Sequence, residues 1–268
     1  MRSTLILLTL VAATPLAAQP QDPGGSQADA VGWYRPDPYR ALRPGELRSA
    51  AFLTESRPMP YGRVLGPVTP SAVEFAQSPE MVMPGSTIGV RPPAGAAYQR
   101  GDTVVLAVTS AGPRGWGDMV LPTGLARIGT SNPRQTEAVI IELYGPVRAG
   151  QVVLPLSPSP KVGEAQPVKA DGPTGSFLFG REPGELHQQG SELFVDLGRT
   201  SGVRLGDFIE FRRRPGPRAG SADMVDQSLA VGQVVSVGEK SSTVRLFRIK
   251  NPGFPAGGPV LRIATLSN

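Results

Sequence analysis

Apolar and polar residues alternate over short stretches of the chain, and glycine-containing turns separate these stretches. The segments STIGVRP (86–92) and SELFVDLG (191–198) show the alternation that is typical of half-buried β-strands. No helical periodicity is sustained beyond two turns. The 33 glycines and 29 prolines among 268 residues also disfavour long helices. The pattern predicts an all-β protein built from small antiparallel barrels or sandwiches.

The chain also aligns with itself, which indicates an internal repeat. The segment YQRGDTVVLAV (98–108) matches GVRLGDFIEFR (202–212), and LPTGLARIG (121–129) matches LAVGQVVSVG (229–238). The separation between matched positions stays between 105 and 113 residues at five landmarks: Gly62/Gly175, Ile88/Phe194, Asp102/Asp207, Gly124/Gly232 and Gly150/Gly258. Because so small a drift is hard to obtain by chance, we predict two tandem homologous modules.

Shifts in composition suggest where these modules begin and end. We predict a signal peptide over residues 1–18, followed by an extended or disordered arm over residues 19–49. A first β module is predicted over residues 50–156, a Pro-rich linker over residues 157–173 and a second β module over residues 174–266. The prolines of the linker are expected to hold the two modules at a restricted spacing.

The first residues have the layout of a secretory signal peptide. Arg2 gives a basic start, residues 5–17 are mostly apolar, and small residues surround Ala18, after which we expect cleavage. A retained anchor is the alternative, but about 13 residues span only ~20 Å as a helix, against ~30 Å of hydrocarbon. Since no later stretch is long enough to span a membrane, we expect a periplasmic or extracellular, envelope-associated protein without a transmembrane segment in the mature chain.

Composition excludes many common enzyme chemistries. Without cysteine the chain has no disulfide, thiol nucleophile or thiolate metal site, and its single histidine, His187, cannot build a zinc site. His187 is expected at the surface. We predict no catalytic residues, no metal and no cofactor. The formal charge of +5 mildly favours anionic envelope polymers as neighbours, and it is too weak and scattered to predict nucleic-acid binding.

Two Gly-Asp pairs recur before strands at equivalent places, Gly101-Asp102 and Gly206-Asp207. Glycine can adopt the positive φ of a turn, and the aspartate can accept hydrogen bonds from backbone amides one or two residues further on. Ala149-Gly150 and Gly257-Gly258 are expected in turns that lead into the last strand of each module, with Gly150 and Gly258 as the matched positions. The alternative, a pair of catalytic carboxylates, would need both aspartates on one wall of one pocket.

Two loops carry the residues best suited to binding. The arginines of loop 212–228 could hold a phosphate or sulfate, or could form a solvated loop tip. Loop 109–121 displays a tryptophan that could anchor a sugar ring or a partner protein, or could fold back on the barrel end. The candidate binding residues are therefore Trp116, Arg212, Arg213, Arg214 and Arg218.

The glycine pattern of the second module resembles a known family. The segments FVDLGRTSGVRLGDFIEF (194–211) and AVGQVVSVG (230–238) are similar to the C-terminal domain of flagellar assembly protein T, which implies a small β-barrel. The segments LRPGELRSAAFLT (42–54) and YGRVLGP (61–67) resemble the regions that follow LysM in secreted bacterial LysM-containing proteins, although no LysM repeat is recognisable. Neither resemblance carries over a ligand residue.

The expected function is non-catalytic. We expect an exported scaffold or docking module, in which rigid barrels present loops 109–121 and 212–228 to an envelope protein of unknown identity. The first alternative is a peptidoglycan- or glycan-binding module that uses Trp116, Trp33 and nearby arginines. The second alternative is a hydrolase that uses Glu142 or Glu210, both expected on the solvent face of strands.

Overall fold

The computed structural model describes residues 41–68, 82–131, 136–157, 166–213 and 227–266, and all of them belong to one compact unit. The predicted signal peptide, most of the predicted arm, Trp33, Arg214 and Arg218 lie outside the described residues. No helix in the described part of the chain is long and apolar enough to cross a membrane.

The first part of the chain forms a closed antiparallel barrel. One helical turn, α1 (Pro44–Arg48), precedes seven strands: β1 (Phe52–Leu53), β2 (Gly62–Pro67), β3 (Thr87–Arg91), β4 (Thr103–Ala111), β5 (Asp118–Ser131), β6 (Thr136–Leu143) and β7 (Val152–Pro155). Strands β5, β4, β7, β2, β3 and β6 are neighbours in this order, and β6 pairs again with β5. The short strand β1 is added outside the ring, on β5.

The second part of the chain repeats this arrangement. Its strands are β8 (Pro167–Lys169), β9 (Thr174–Gly180), β10 (Glu192–Val195), β11 (Phe208–Arg213), β12 (Gln227–Val237), β13 (Ser242–Ile249) and β14 (Pro259–Leu266). A 3-10 turn, Arg199–Ser201, lies between β10 and β11. Strands β11, β12, β13, β10, β9 and β14 are antiparallel neighbours in this order, and β14 pairs again with β11.

Strands β9 to β14 correspond one for one to strands β2 to β7, and every neighbour pair of the first ring has a counterpart in the second. The register also agrees, because Gly62 lies opposite Val153 and its predicted counterpart Gly175 lies opposite Val260. The predicted all-β fold class, with two antiparallel β modules, is therefore confirmed.

Each barrel encloses its own apolar core. Large inward side chains include Ile88, Leu106, Ile128 and Ile140 in the first barrel and Leu193, Ile209, Phe211 and Leu246 in the second, and all of these are almost completely buried. Burying a side chain of this size is worth roughly 1.5–3 kcal/mol. The alternation seen in the sequence thus translates into two cores.

Two glycines let neighbouring strands approach closely at equivalent places. A Cβ on Gly124 would come within 2.6 Å of the Glu142 carbonyl oxygen on β6. A Cβ on Gly232 would come within 2.5 Å of Val244 and 2.7 Å of the Arg245 carbonyl oxygen on β13. The register of a neighbouring ladder shifts beside each glycine, so both positions are bends that help a six-stranded sheet to close.

Two segments differ from the predicted extended arm and linker. The arm was expected to be extended as far as residue 49, but α1 forms there because Pro44 presets the helical φ and Glu46 accepts a hydrogen bond from the Arg43 amide at 2.8 Å. Within the linker, residues 167–169 form β8. The end of β14 continues past its pairing with β9, and β8 pairs with it there at residues 264–266.

Candidate functional site

A short segment of chain lies between the two barrels and contacts both. We call residues 49–57 the strap. Its strand β1 pairs with β5 of the first barrel. Toward the second barrel, the Thr243 hydroxyl donates to the Ala51 carbonyl oxygen at 2.6 Å, and the Ala51 amide donates to the Glu192 carboxylate at 3.2 Å. The strap therefore joins the barrels through its backbone on both sides.

Glu55 fastens the strap to the turn between β12 and β13. Its carboxylate accepts hydrogen bonds from the amides of Glu239, Lys240 and Ser241, at 2.9–3.2 Å, and from the Ser241 hydroxyl at 2.8 Å. Burial works to raise the pKa of Glu55, but these donors and the Arg57 guanidinium outweigh it and hold the pKa below 4.5. Glu55 has a φ of +54°, a strained value for a non-glycine residue, which the contacts with the second barrel offset.

A buried carboxylate binds the start of the strap to the second barrel. The Glu192 side chain is 3 % exposed and accepts hydrogen bonds from Arg245 at 2.6 Å and from Arg181 at 3.2 Å. Arg245 also lies 3.5 Å from Glu46 of α1. These two arginines of opposite charge offset the cost of burying the Glu192 carboxylate.

An apolar cluster seals the junction of the barrels. It combines Ala51 and Leu53 of the strap, Met119 of β5 and Phe194 of β10. The Phe179 and Phe194 rings stack with their centroids 4.6 Å apart. Trp116 is half-buried against this cluster. The structure therefore places Trp116 in the contact between the barrels, which corresponds to the predicted alternative in which it folds back.

The segment 109–121 is less of a loop than the sequence suggests. Ladder pairs between β4 and β5 continue from Ala107 opposite Pro122 to Ala111 opposite Asp118, so only residues 112–117 form the turn. The expected display of a long loop from the first barrel is wrong. Strands β4 and β5 continue through most of this segment because β5 also pairs with the strap, and this pairing extends the sheet at this end of the barrel.

A cleft of about 880 Å³ opens between the two barrels beside the strap. Its walls are mainly apolar and include Phe52, Met59, Leu154, Leu156, Leu205 and Val237. Cavities of about 300–1,000 Å³ with apolar walls and a few polar groups are typical of binding sites. The cleft is therefore the candidate functional site.

The charged residues that line the cleft are arginines. Four arginines line it, Arg48, Arg57, Arg199 and Arg204, whereas no aspartate, glutamate, lysine or histidine does so among the described residues. Ser242 also lines the cleft. The buried Arg48 Nε and the buried Ser242 Oγ have no hydrogen-bond partner within the described chain. Both atoms are enclosed by the protein itself, so they are not exposed to the cleft.

The two Gly-Asp pairs lie in matching turns of separate barrels. Gly101 and Gly206 have φ values of +94° and +88°. The aspartates accept hydrogen bonds from the amides three residues earlier, Gln99 at 2.8 Å and Arg204 at 2.9 Å, and not from later amides as expected. The reason is that each turn folds back, so that the aspartate carboxylate lies beside the amide three residues earlier. The geometry brings the two aspartates into no common pocket.

The last turns correspond with a shift of one residue. Gly150 has a φ of +87° and donates its amide to the Val64 carbonyl oxygen. The residue with the same role in the second barrel is Gly257 of the predicted Gly257-Gly258 turn, with a φ of +82° and a bond to the Phe177 carbonyl oxygen, so Gly257 and not Gly258 is the counterpart of Gly150. The glycine two residues before the first residue of the strand makes the turn in both barrels.

The arginine-rich loop is only partly described. Arg212 donates from Nε to Glu210 at 2.5 Å, and Arg213 is exposed at the end of β11. Arg214, Arg218 and the rest of the loop to residue 226 lie outside the described residues. Arg212 is thus engaged with a carboxylate of its own strand.

The predicted alternative acids do not form a pair. Glu142 of the first barrel accepts hydrogen bonds from Arg48 at 3.3 Å and from the Tyr144 hydroxyl, and burial together with this carboxylate raises the pKa of Tyr144. Glu210 of the second barrel is 5 % exposed, so its expected place on the solvent face is wrong. Its buried position is tolerated because Arg212 neutralises it.

The expectation that His187 lies at the surface is also wrong. It is 5 % exposed and packs against the rings of Phe177 and Phe254, at centroid distances of 5.4 and 4.5 Å. Its Nε2 lies 3.3 Å from the Phe254 carbonyl oxygen. Burial lowers the pKa of His187, although the hydrogen bond to Phe254 opposes this. The ring is an aromatic member of the second core.

Among the described side chains, no group of three or more histidines, aspartates and glutamates could hold a metal ion. The strap and cleft were not found from the sequence. The run AAFL (50–53), which is followed by Thr54 and Glu55, is their one local trace, and it does not reveal two barrel surfaces on either side. No protein-family model and no curated protein matches this chain.

Proposed function

We propose that the protein is a non-catalytic, exported component of the cell envelope that docks on another envelope protein through the cleft between its barrels. The observation that supports this proposal best is the cleft of about 880 Å³, whose walls come from two barrels joined by the strap. Binding sites form preferentially at the junctions of rigid bodies, where concave apolar surface is available without strain.

The docking surface proposed here differs from the two loops expected from the sequence. Trp116 packs toward the junction of the barrels, and most of loop 109–121 is strand. A glycan-binding role that depends on a displayed Trp116 therefore loses its main support. The resemblance to the C-terminal domain of flagellar assembly protein T is in keeping with a structural role in an envelope assembly.

Position-specific crosslinking in living cells tests the docking function. In the test variants a photoreactive amino acid replaces Leu156 or Leu205, which line the cleft. In the matched controls it replaces Arg127 or Gln189, which are exposed outside the cleft. The proposal predicts one product of defined mass from both cleft positions, and none from the controls. A bulky Leu156→Trp substitution should abolish the product formed from position 205. Equal products from all four positions, or none from the cleft, would refute cleft docking.

Export is tested separately. N-terminal sequencing of the protein recovered from the periplasmic or culture fraction should begin at Gln19, directly after Ala18. Recovery of the uncleaved chain from the cytoplasmic fraction alone would contradict the proposed location.

A further inference from the structure

We propose that one outer surface of the first barrel docks on a membrane surface that carries anionic phospholipids. This surface consists of the outward positions of β2, β3 and β6 together with Arg127 of β5, and we call it the outer face. The first barrel lines the cleft with other residues, which belong to β4, β5 and β7. The proposal therefore goes beyond cleft docking and does not depend on it.

The outer face is the counterpart of the surface that contacts the strap in the second barrel. The ladders β2–β3 and β9–β10 both shift register at the same place. Leu65 and Leu178 are the residues passed over at this shift, and each lies three positions after a matched glycine, Gly62 or Gly175. Leu178 packs in the junction of the barrels, whereas Leu65 is 40 % exposed. The first barrel therefore leaves open a position that the second barrel uses for contact.

The centre of the outer face lacks the aromatic pair of the second barrel. Gly66 lies directly opposite Gly89, whereas the corresponding residues, Phe179 and Phe194, stack on each other at the strap. This correspondence differs by one residue from the sequence match of Phe194 with Ile88. Because protein interfaces depend on a few anchors such as aromatic side chains, the outer face does not copy the strap contact. Two opposed glycines instead give it an even centre.

Aliphatic side chains on both sides of this centre are exposed. Val139 and Ile141 of β6 are 36 and 37 % exposed, on the other side of β3 from Leu65. Thr87 of β3 lies opposite Val139. Exposed aliphatic groups gain free energy when they enter the boundary between the headgroups and the acyl chains of a bilayer.

Arginines without carboxylate partners surround these side chains. Arg63 lies directly opposite Arg91, Arg127 lies directly opposite Val139, and all three arginines are exposed. Arg63 donates to a backbone carbonyl oxygen at 3.0 Å, but none of the three forms an ion pair within the described part of the chain. Like charges directly opposite each other destabilise a sheet, and a bound phosphate would remove this repulsion. Glu137 is the half-buried carboxylate of this face, so positive charge is in excess.

The combination of these groups indicates a lipid surface. The cleft arginines Arg48, Arg57 and Arg199 are paired with carboxylates, whereas those of the outer face are available to an anion. Free phosphate would engage the arginines and leave the aliphatic side chains in water. A bilayer with anionic headgroups offers phosphate and an apolar layer at the same surface.

Sedimentation with lipid vesicles tests this proposal. The mature protein is mixed with vesicles of phosphatidylcholine alone or of phosphatidylcholine with phosphatidylglycerol. Binding to the anionic vesicles should be at least about tenfold tighter, because each arginine near such a surface contributes about fivefold. Equal binding to both kinds of vesicle, or binding to neither, would overturn the proposal.

Variants separate the outer face from general basic charge. Arg91→Gln should weaken binding to anionic vesicles about fivefold, whereas Arg114→Gln, at an exposed arginine in the turn between β4 and β5, should leave it unchanged. The double variant Val139→Ser, Ile141→Ser should also weaken binding about fivefold or more, with an unchanged melting temperature. An equal effect of the two arginine variants would overturn the proposal. Unchanged binding of the double serine variant would assign the face to a phosphate-bearing polymer and would also overturn it.

Spin labels locate the membrane contact without removing a charge. The native chain has no cysteine, so Ile141→Cys and Arg114→Cys each carry one label. When anionic vesicles are added, the label at 141 should become more accessible to oxygen and less accessible to a nickel chelate, and the label at 114 should not change. The reverse pattern would overturn the proposal. Leu156→Trp, which blocks the cleft, should leave vesicle binding unchanged, so cleft docking and membrane docking can fail separately.

Discussion

Glu55 and His187 are buried for different reasons. The Glu55 carboxylate exchanges water for backbone amides and a hydroxyl of the second barrel, which favours its charged form. The His187 imidazole is enclosed by phenylalanine rings and has one carbonyl oxygen near Nε2, which favours its neutral form. The two residues therefore make stability depend on pH in separate ranges.

The stability of the protein should fall as the pH is lowered below about 6.5, the ordinary pKa of histidine. Because the folded pKa of His187 is lowered, the unfolded chain binds the proton first, and stability is present above 6.5 and lost toward the folded pKa. Thermal melts between pH 7.5 and 5 measure this. His187→Phe should flatten the curve in this range, and since His187 is the sole histidine, no other imidazole contributes. An unchanged slope in the variant would show that the imidazole is not buried.

Removal of the Glu55 carboxylate should destabilise the contact between strap and second barrel. Glu55→Ala is expected to lower the free energy of unfolding by about 2 kcal/mol in urea at pH 7, because several amides lose a charged acceptor. The contribution is present above pH 4.5 and is lost as the pH falls through the lowered pKa, so wild type and variant should converge in acid. Glu182→Gln, at an exposed carboxylate, is the control. A Glu55→Ala protein as stable as this control would contradict the role of Glu55 in holding the strap on the second barrel.

At the scale of elements, glycine bends let each sheet close into a barrel, and short segments (α1, β8 and the strap) are added to the two barrels. The glycines at 124 and 232 bring β5 onto β6 and β12 onto β13, and these positions were visible in the sequence as members of the repeat. The alternation and the repeat therefore predicted the strands and their repetition in two modules. The one-turn helix α1, strand β8 and the strap could not be predicted, because each depends on a neighbour far away in the chain, such as β14 for β8.

Alanine at the bends should destabilise each barrel. A Cβ at Gly232 would collide with Val244 and with the Arg245 backbone, which cannot move without breaking the ladder. We expect Gly232→Ala and Gly124→Ala each to lower the free energy of unfolding by about 2 kcal/mol or more. Gly45→Ala is the matched control, because a Cβ there would meet nothing within 4 Å. If the two bend variants unfold like this control, the bends are not needed for closure.

At the scale of the whole molecule, the strap turns two barrels into one body. The barrels have separate cores, but Ala51 and Leu53 of the strap complete a third apolar cluster with Met119 and Phe194. The sequence predicted two modules at a restricted spacing and attributed it to the linker. The strap adds direct contacts between the barrels, and these contacts also form the cleft. Neither could be predicted, because the repeat describes what the modules share and not how they meet.

The distance between the barrels tests this account most directly. The native chain contains no cysteine, so Arg127→Cys and Gln189→Cys place one spin label on an exposed site of each barrel. Double electron–electron resonance on the mature protein should give a single narrow distance distribution, and adding Glu55→Ala should broaden it. A broad or multimodal distribution in the protein with an intact strap would show that the barrels move independently, and it would contradict both the single body and the preformed cleft.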